Sequence, residues 1–309
     1  TYAISKNRFR NRNHLSLKTN KILLIDGARQ VGKTFIIRHV GKKMYDNFIE
    51  INMIEDRLQN QLFKNVKTVE DFYLQVSMLA GSQMKEKENT LIFIDEIQAY
   101  PHLLTLLRFL SQDDKFTYIA SGSLLDVTLS NTSSIPMGSI RKIRMCPLDF
   151  EEFIRVLGLN DLTLSILENK FNHLETLDET MHDKMMDLFR KYLLVGGLPD
   201  VINTYLETKN IQAVREVQNE IYEYYKSDAS KYDTENKLKI SRIYDLIPSN
   251  MENKKKRVVI QNIENKRGKT FQNYIDEFDY LISAGIALPG QAIANPVFPF
   301  IASCGKNLL

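Results

Sequence analysis

The stretch Gly27-Ala28-Arg29-Gln30-Val31-Gly32-Lys33-Thr34 constrains this chain more than any other. It follows the apolar run Ile22-Leu23-Leu24-Ile25 and opens the amphipathic run Phe35-Ile36-Ile37-Arg38-His39-Val40. Strand, glycine loop and helix in that order are the context that G-x-x-x-x-G-K-[ST] needs to work as a phosphate-binding loop. Glycine lets backbone N–H groups turn inward around phosphate oxygens, and the helix N-terminus adds partial positive charge. In such a loop Lys33 reaches the β- and γ-phosphates of a bound nucleotide, and the Thr34 hydroxyl ligates Mg²⁺.

Leu91-Ile92-Phe93-Ile94-Asp95-Glu96 is an apolar strand ending in two carboxylates. It has no polar alternation, so it reads as a strand buried on both faces of a parallel sheet. Asp95 is the natural partner, direct or indirect, of a Mg²⁺ held by Thr34. Glu96 points differently and can orient or deprotonate an attacking water. Both carboxylates lie at the carboxyl end of their strand, where open α/β sheets bind ligands. Thr117-Tyr118-Ile119-Ala120-Ser121-Gly122-Ser123 reads as a further strand of the sheet. Ser121 and Ser123 are both candidates to sense the γ-phosphate, and an ordinary strand-to-helix turn has the same composition.

At 309 residues and 43% hydrophobic content, the chain can fill more than one core. Its net charge of +3 excludes a whole-molecule electrostatic grip on nucleic acid and leaves only local patches. Cys146 and Cys304 match no metal-ligand spacing and read as reduced, buried thiols. The 5 histidines, His14, His39, His102, His173 and His182, show no zinc pattern. No apolar run is long enough for a membrane span and no secretory signal is visible, so the cytoplasm is the expected compartment. Thr1 is not an initiator methionine, which suggests a piece of a longer protein.

The segment from Lys6 to Lys21 carries Arg8, Arg10, Arg12 and Lys18 and reads as a solvated lead-in or a phosphate-contacting arm. Beyond the loop, the pattern predicts a strand at Asn47–Met53 and helices at Gln59–Lys64 and Val69–Leu79. A helix follows from Tyr100-Pro101 through Leu110, and Ile140–Met145 reads as an edge strand. Strands alternating with helices indicate a parallel α/β sheet. Asp149 and Glu152 have capping-box spacing for a helix that Gly158 would end. From Asp161 the pattern is mainly helical, with segments at Leu162–Leu174, Met181–Leu194, Val201–Tyr205 and along Val214 to Tyr225. The last third suggests a winged helix: helices at Leu238–Leu246, Val258–Ile263 and Thr270–Ala284, then a hairpin wing at Ala287–Phe300. The division expected is a nucleotide-binding core over residues 1–158, a helical region over 159–232 and a winged-helix-like module over 233–309.

Basic turns at Lys254–Arg257 and Lys266–Lys269 offer a grip on a double-stranded DNA backbone. Asp276 and Asp279, with Glu277 beside them, make the third helix a poor reader of a major groove. DNA contact and a structural or partner-docking role therefore both stand.

The ordered set of the phosphate loop, Ile94-Asp95-Glu96-Ile97-Gln98, Ser121-Gly122-Ser123, Pro147-Leu148-Asp149-Phe150-Glu151-Glu152-Phe153 and Val195-Gly196-Gly197-Leu198-Pro199 resembles a known group from about Lys21 onward. That group is the prokaryotic AAA-type ATPases that pair an AAA core with a DUF4143 domain. The resemblance implies an α/β P-loop NTPase of the additional-strand (ASCE) kind, ATP with Mg²⁺ as cofactors, Glu96 acting on water, and a winged-helix-like segment after the core. It also implies adenine over guanine. Members continue into a nuclease-like C-terminal part, and this chain ends about where that part would begin. Many relatives carry Gly-Arg where this chain has Gly138-Ser139, which leaves Arg141 as the candidate arginine finger and Arg144 nearby.

The reading that follows is a Mg²⁺-dependent ATPase whose helical region moves with nucleotide state and reports to DNA or a protein, with homo-oligomers possible as partners. The competing reading is a nucleotide-dependent binding module with negligible turnover. A small-molecule kinase fits poorly, because no arginine-rich lid is visible and Glu96 stands beside the Mg²⁺ aspartate.

Overall fold

The computed structural model describes residues 21–81, 84–86, 89–123, 138–229, 237–252, 258–264, 268–293 and 304–308. The basic lead-in before Lys21, the turn Lys254–Arg257, Lys266 with Arg267, and the second half of the expected wing lie outside them. The described chain falls into two compact units, and the boundary lies at Glu220–Ile221.

The first unit is built on β1 (Ile22–Asp26), β2 (Asn47–Asn52), β3 (Thr90–Asp95), β4 (Thr117–Gly122) and β5 (Ile140–Arg144). These form one parallel five-stranded sheet in the order β2-β3-β4-β1-β5. All six residues of β3 are buried, as expected for an uninterrupted apolar strand with neighbours on both sides. β4 lies between β1 and β3, and the carboxyl edge of such a sheet is where ligands bind.

The period of two along each strand decides which face each residue serves. Ile25, Leu91, Phe93 and Ile119 pack together with Ile36 and Ile37 of α1 (Lys33–Met44), so odd positions on these strands face α1. Gly41 lets α1 close on that face, since a Cβ there would sit 2.4 Å from the Phe48 ring. Buried apolar residues also come from α3 (Val69–Ala80) and from α4 (His102–Asp113), whose Leu103, Leu104, Leu107 and Leu110 form one stripe.

The expected helix over Gln59–Lys64 is displaced. The chain instead forms α2 at Met53–Leu58 directly after β2. Asn52 caps it by accepting from the N–H groups of Ile54 and Glu55, and Asp56 then braces the following turn by accepting from Leu62, Phe63 and Tyr100. Asn52 both ends β2 and caps α2, so the strand pattern runs into the helix without a break.

After β5 come α5 (Phe150–Val156), α6 (Asp161–Asn172), α7 (Glu179–Val195), α8 (Pro199–Thr208) and α9 (Ile211–Ala229). The capping box at α5 forms as expected, Asp149 accepting from Glu152 N and Glu152 accepting from Asp149 N. Gly158 follows at φ 97°, a left-handed conformation suited to ending the helix. Cys146, expected to be buried, is exposed, because it lies in the turn that leaves the edge strand.

The second unit contains α10 (Lys237–Glu252), α11 (Gln261–Glu264), α12 (Ile275–Ser283) and an antiparallel pair, β6 (Gln291–Ile293) with β7 (Cys304–Leu308). Ile240, Ile243, Tyr244, Ile263, Tyr274, Phe278 and Leu281 make its core. The expected third helix starts as a 3-10 turn at Phe271–Tyr274, and β6 pairs with a strand beyond the Ala287–Phe300 segment. Asp276 and Asp279 are exposed as expected, but Glu277 is buried and pairs with Lys239 at 3.3 Å. Among the described residues no helix is long and apolar enough to cross a membrane.

Candidate functional site

The phosphate loop joins β1 to α1. Val31 is fully buried, Gln30 is held at φ 60°, and Gly32 caps α1 in a left-handed conformation at φ 93°. Val31 therefore offers a ligand only its backbone. Gly27, at φ 151°, lies so close to the turn after β5 that a Cβ would stand 2.2 Å from the Met145 carbonyl oxygen.

Gly32 supplies no capping side chain, and the first turn of α1 holds no acidic residue. The N–H groups and positive dipole end of α1 thus face no carboxylate from its own first turn, a donor set that fits phosphate oxygens. Lys33 is buried beside them, and its Nζ donates to the carbonyls of Gly27 at 2.9 Å and Ala28 at 2.8 Å. Burial lowers the pKa of the Lys33 ammonium, opposed by the negative charges of Glu96, Asp26 and Asp95 and assisted by Arg29. Asp26, at the end of β1, is buried and paired with Lys142 at 3.0 Å.

Asp95 and Ser121 occupy odd positions in phase with Phe93 and Ile119, so both emerge on the α1 face at the carboxyl edge. There the Thr34 hydroxyl donates to Asp95 Oδ2 at 2.9 Å, and Ser121 Oγ donates to Asp95 Oδ1. Burial raises the Asp95 pKa, with Ser121 opposing, Glu96 adding, Thr34 opposing and Glu50 adding. A buried carboxylate between two hydroxyls gains from a hard cation, and Mg²⁺ takes one or two carboxylates together with phosphate oxygens. The residues present fit that ion: Thr34 and Asp95 would hold it. No group of three or more His, Cys, Asp or Glu among the described residues could hold a metal by itself.

Glu96 takes the left-handed conformation, φ 53° and ψ 45°, and turns the chain into a 3-10 turn at Ile97–Ala99. Its Oε2 accepts from Ser123 Oγ at 3.2 Å and from Gln98 Nε2. Gln98 Nε2 also donates to Ser123 Oγ at 3.2 Å. The two serines are thus divided, Ser121 serving Asp95 and Ser123 serving Glu96. The strand phase accounts for the first pairing; the second depends on a turn geometry that periodicity does not report. Gln98 is the site residue that carried no assigned role in the sequence reading, and its adjacency to Asp95-Glu96 was the available signal.

Arg141 pairs in register with Leu23, three positions short of the carboxyl edge, or about 10 Å at strand rise. Arg144 pairs with Asp26 at that edge. Neither arginine is among the bonded partners of Asp95 or Glu96 described above.

Beyond the sheet, two motifs distant in sequence meet. Leu148 N donates to Gly197 O at 2.8 Å, and Tyr192 of α7 donates its hydroxyl to Leu148 O at 2.9 Å. A Cβ on Gly197 would lie 2.1 Å from that carbonyl. Phe150 and Phe153 pack against Tyr192, and Phe150 also against Phe189. The helical segment is thereby fixed to the same turn whose Met145 lies against Gly27.

The family model described as AAA domain (AAA_14) matches residues 19–154. Residues 186–296 match a domain of unknown function, DUF8612. That match replaces the expected DUF4143 region. Of the Gly196-Gly197 pair, which was one of the motifs behind that expectation, Gly197 packs under Leu148 and Gly196 stands at a positive φ of 78°, so both glycines have a local conformational reason. No curated protein matches the chain. Among solved structures, it is similar to the Walker-type ATPase PABY2304 of Pyrococcus abyssi, with 13% identity and a TM-score of 0.54 over 91% of this chain and 89% of that one. It is also similar to the Aeropyrum pernix ORC1 protein, solved in complex with DNA, with 14% identity and a TM-score of 0.36 over 93% and 82% of the two chains. The fold is that of a parallel-sheet P-loop ATPase followed by a mainly helical region, and the AAA match over residues 19–154 supports nucleotide-dependent ATPase activity.

Proposed function

We propose that this chain binds ATP with Mg²⁺ and hydrolyses it, using the cycle to reposition its helical region. The observation that carries the reading is the hydrogen-bonded set Thr34–Asp95–Ser121, beside buried Lys33 and the uncapped start of α1. Lys33 and the amides of Gly27 to Thr34 hold the phosphates. Thr34 and Asp95 hold Mg²⁺, which when bound neutralises charge on the phosphate oxygens. Glu96, one residue beyond Asp95, orients a water and accepts its proton. Ser121 or Ser123 senses the γ-phosphate indirectly, through the carboxylate it bonds. Arg141, on the edge strand β5, acts as a finger toward nucleotide on a neighbouring copy.

The coupling route runs from Gly27 through the Met145–Leu148 turn to Gly197 and Tyr192. A winged-helix-like second unit would then report nucleotide state to DNA or a protein. Exposed Asp276 and Asp279 favour a protein over the DNA backbone as the partner of α12. The test is nucleotide binding and turnover, with and without Mg²⁺, for the native chain and for Lys33→Ala. Tight ATP binding by Lys33→Ala would remove the loop assignment. Tight binding by the native chain with no turnover would favour a nucleotide-gated binding module instead.

A further inference from the structure

We propose that Gln98 is a positioning residue for hydrolysis, which with Ser123 holds the Glu96 carboxylate in its working orientation. This rests on the ATPase reading above. Glu96 leaves β3 in a left-handed turn, a conformation that non-glycine residues adopt at a cost and that surrounding structure must enforce. Ala99 N donates to Glu96 O at 3.0 Å and Tyr100 N to Ile97 O at 3.0 Å, so the turn brings Gln98 back toward the side chain two residues before it.

The donors and acceptors then close a triangle. One N–H of the Gln98 amide goes to Glu96 Oε2, the other goes to Ser123 Oγ at 3.2 Å, and the Ser123 hydroxyl donates to the same Oε2 at 3.2 Å. Each proton has one acceptor. Glu96 Oε1 takes no part in the triangle and is the oxygen assigned to water.

The same amide costs the fold something. Gln98 is buried, and its Oε1 accepts no hydrogen bond from any described residue. A buried acceptor without a partner is destabilising, whereas an apolar side chain of similar volume would leave no such group. An amide that served only to fill space would be a poor choice here. An amide whose N–H groups orient Glu96 accounts for both the bonded nitrogen and the orphaned oxygen.

The test compares Gln98→Met with the native chain by steady-state ATP hydrolysis at saturating Mg²⁺, ATP affinity and thermal unfolding, with Glu96→Gln as the reference. The expected result is a kcat lower by about 10- to 100-fold, the size associated with misplacing a reacting group by an ångström or so. KM and ATP affinity should stay within about twofold and the unfolding midpoint should be unchanged or higher. Ser123→Ala should lower kcat in the same way, and the double variant should lose less than the product of the single losses, because both hold one carboxylate oxygen. Native kcat in a folded Gln98→Met protein would overturn the proposal. So would a fall in kcat that comes only with a lower unfolding midpoint in both variants. Absence of turnover in the native chain would remove the ATPase reading and this inference with it. Turnover lost in Glu96→Gln but native in Gln98→Met would remove this inference alone.

Discussion

Two carboxylates one position apart are treated differently by their surroundings. Asp95 is buried, takes a hydroxyl on each oxygen and lies on the α1 face beside Thr34; Glu96 is turned out of the strand and held through one oxygen. Different losses should follow from the two neighbouring serines. Ser121→Ala removes a donor from Asp95 and is expected to change the Mg²⁺ concentration giving half-maximal turnover, with maximal turnover little affected. Ser123→Ala is expected to do the reverse, and a Mg²⁺ titration of both separates them. Lys33→Ala should weaken ATP binding by ~10- to 100-fold, the scale of losing a charge-assisted hydrogen bond or two, as read by equilibrium titration. The residue types and spacings of Lys33, Thr34, Asp95 and Glu96 were legible because a phosphate loop and an apolar strand ending in acids each have a short-range pattern. Ser121 and Ser123 could not be told apart from the sequence, since both lie at the end of the same short strand. Gln98 was not legible either, since the contact it makes arises from a left-handed turn at a non-glycine residue.

At the level of elements, glycine marks two close approaches of backbone to backbone. Gly27 lies against Met145 and Gly197 against Leu148, each with room for hydrogen only. Gly197→Ala must push the Leu148 carbonyl away or break the Leu148–Gly197 bond, and a loss of roughly 1–3 kcal/mol is expected from overpacking at that contact, measured by denaturant unfolding. Asp149→Ala removes the capping box of α5 and should cost about 1 kcal/mol by the same measurement. The alternation of strands and helices was readable, as were the caps of α5 and the apolar stripe of α4. The position of α2 was not, because Asn52 ends one element and begins the next, and a single residue serving both gives no gap in the pattern. The meeting of Leu148 with Gly197 was also invisible, since a contact across distant sequence leaves no periodicity.

For the whole molecule, the sheet order and the helical region after it combine an ATPase core with a segment fixed to the turn beside its phosphate loop. The parallel sheet was legible because βαβ connections impose it. The identity of the later region was not, and the expectation of DUF4143 gives way to the match with DUF8612. If the second unit grips DNA through phosphates, turnover should rise with double-stranded DNA and the rise should disappear as salt increases. With Asp276 and Asp279 exposed on α12, no rise is expected at physiological salt. The most direct measurement of the central claim is ATP turnover with Mg²⁺ by the purified chain beside its Glu96→Gln variant, with ATP binding measured on both. The account predicts turnover by the native chain, a loss of about 10²- to 10⁴-fold in Glu96→Gln, and binding that is equal in the two. Equal turnover in the two proteins, or none in either, would contradict it.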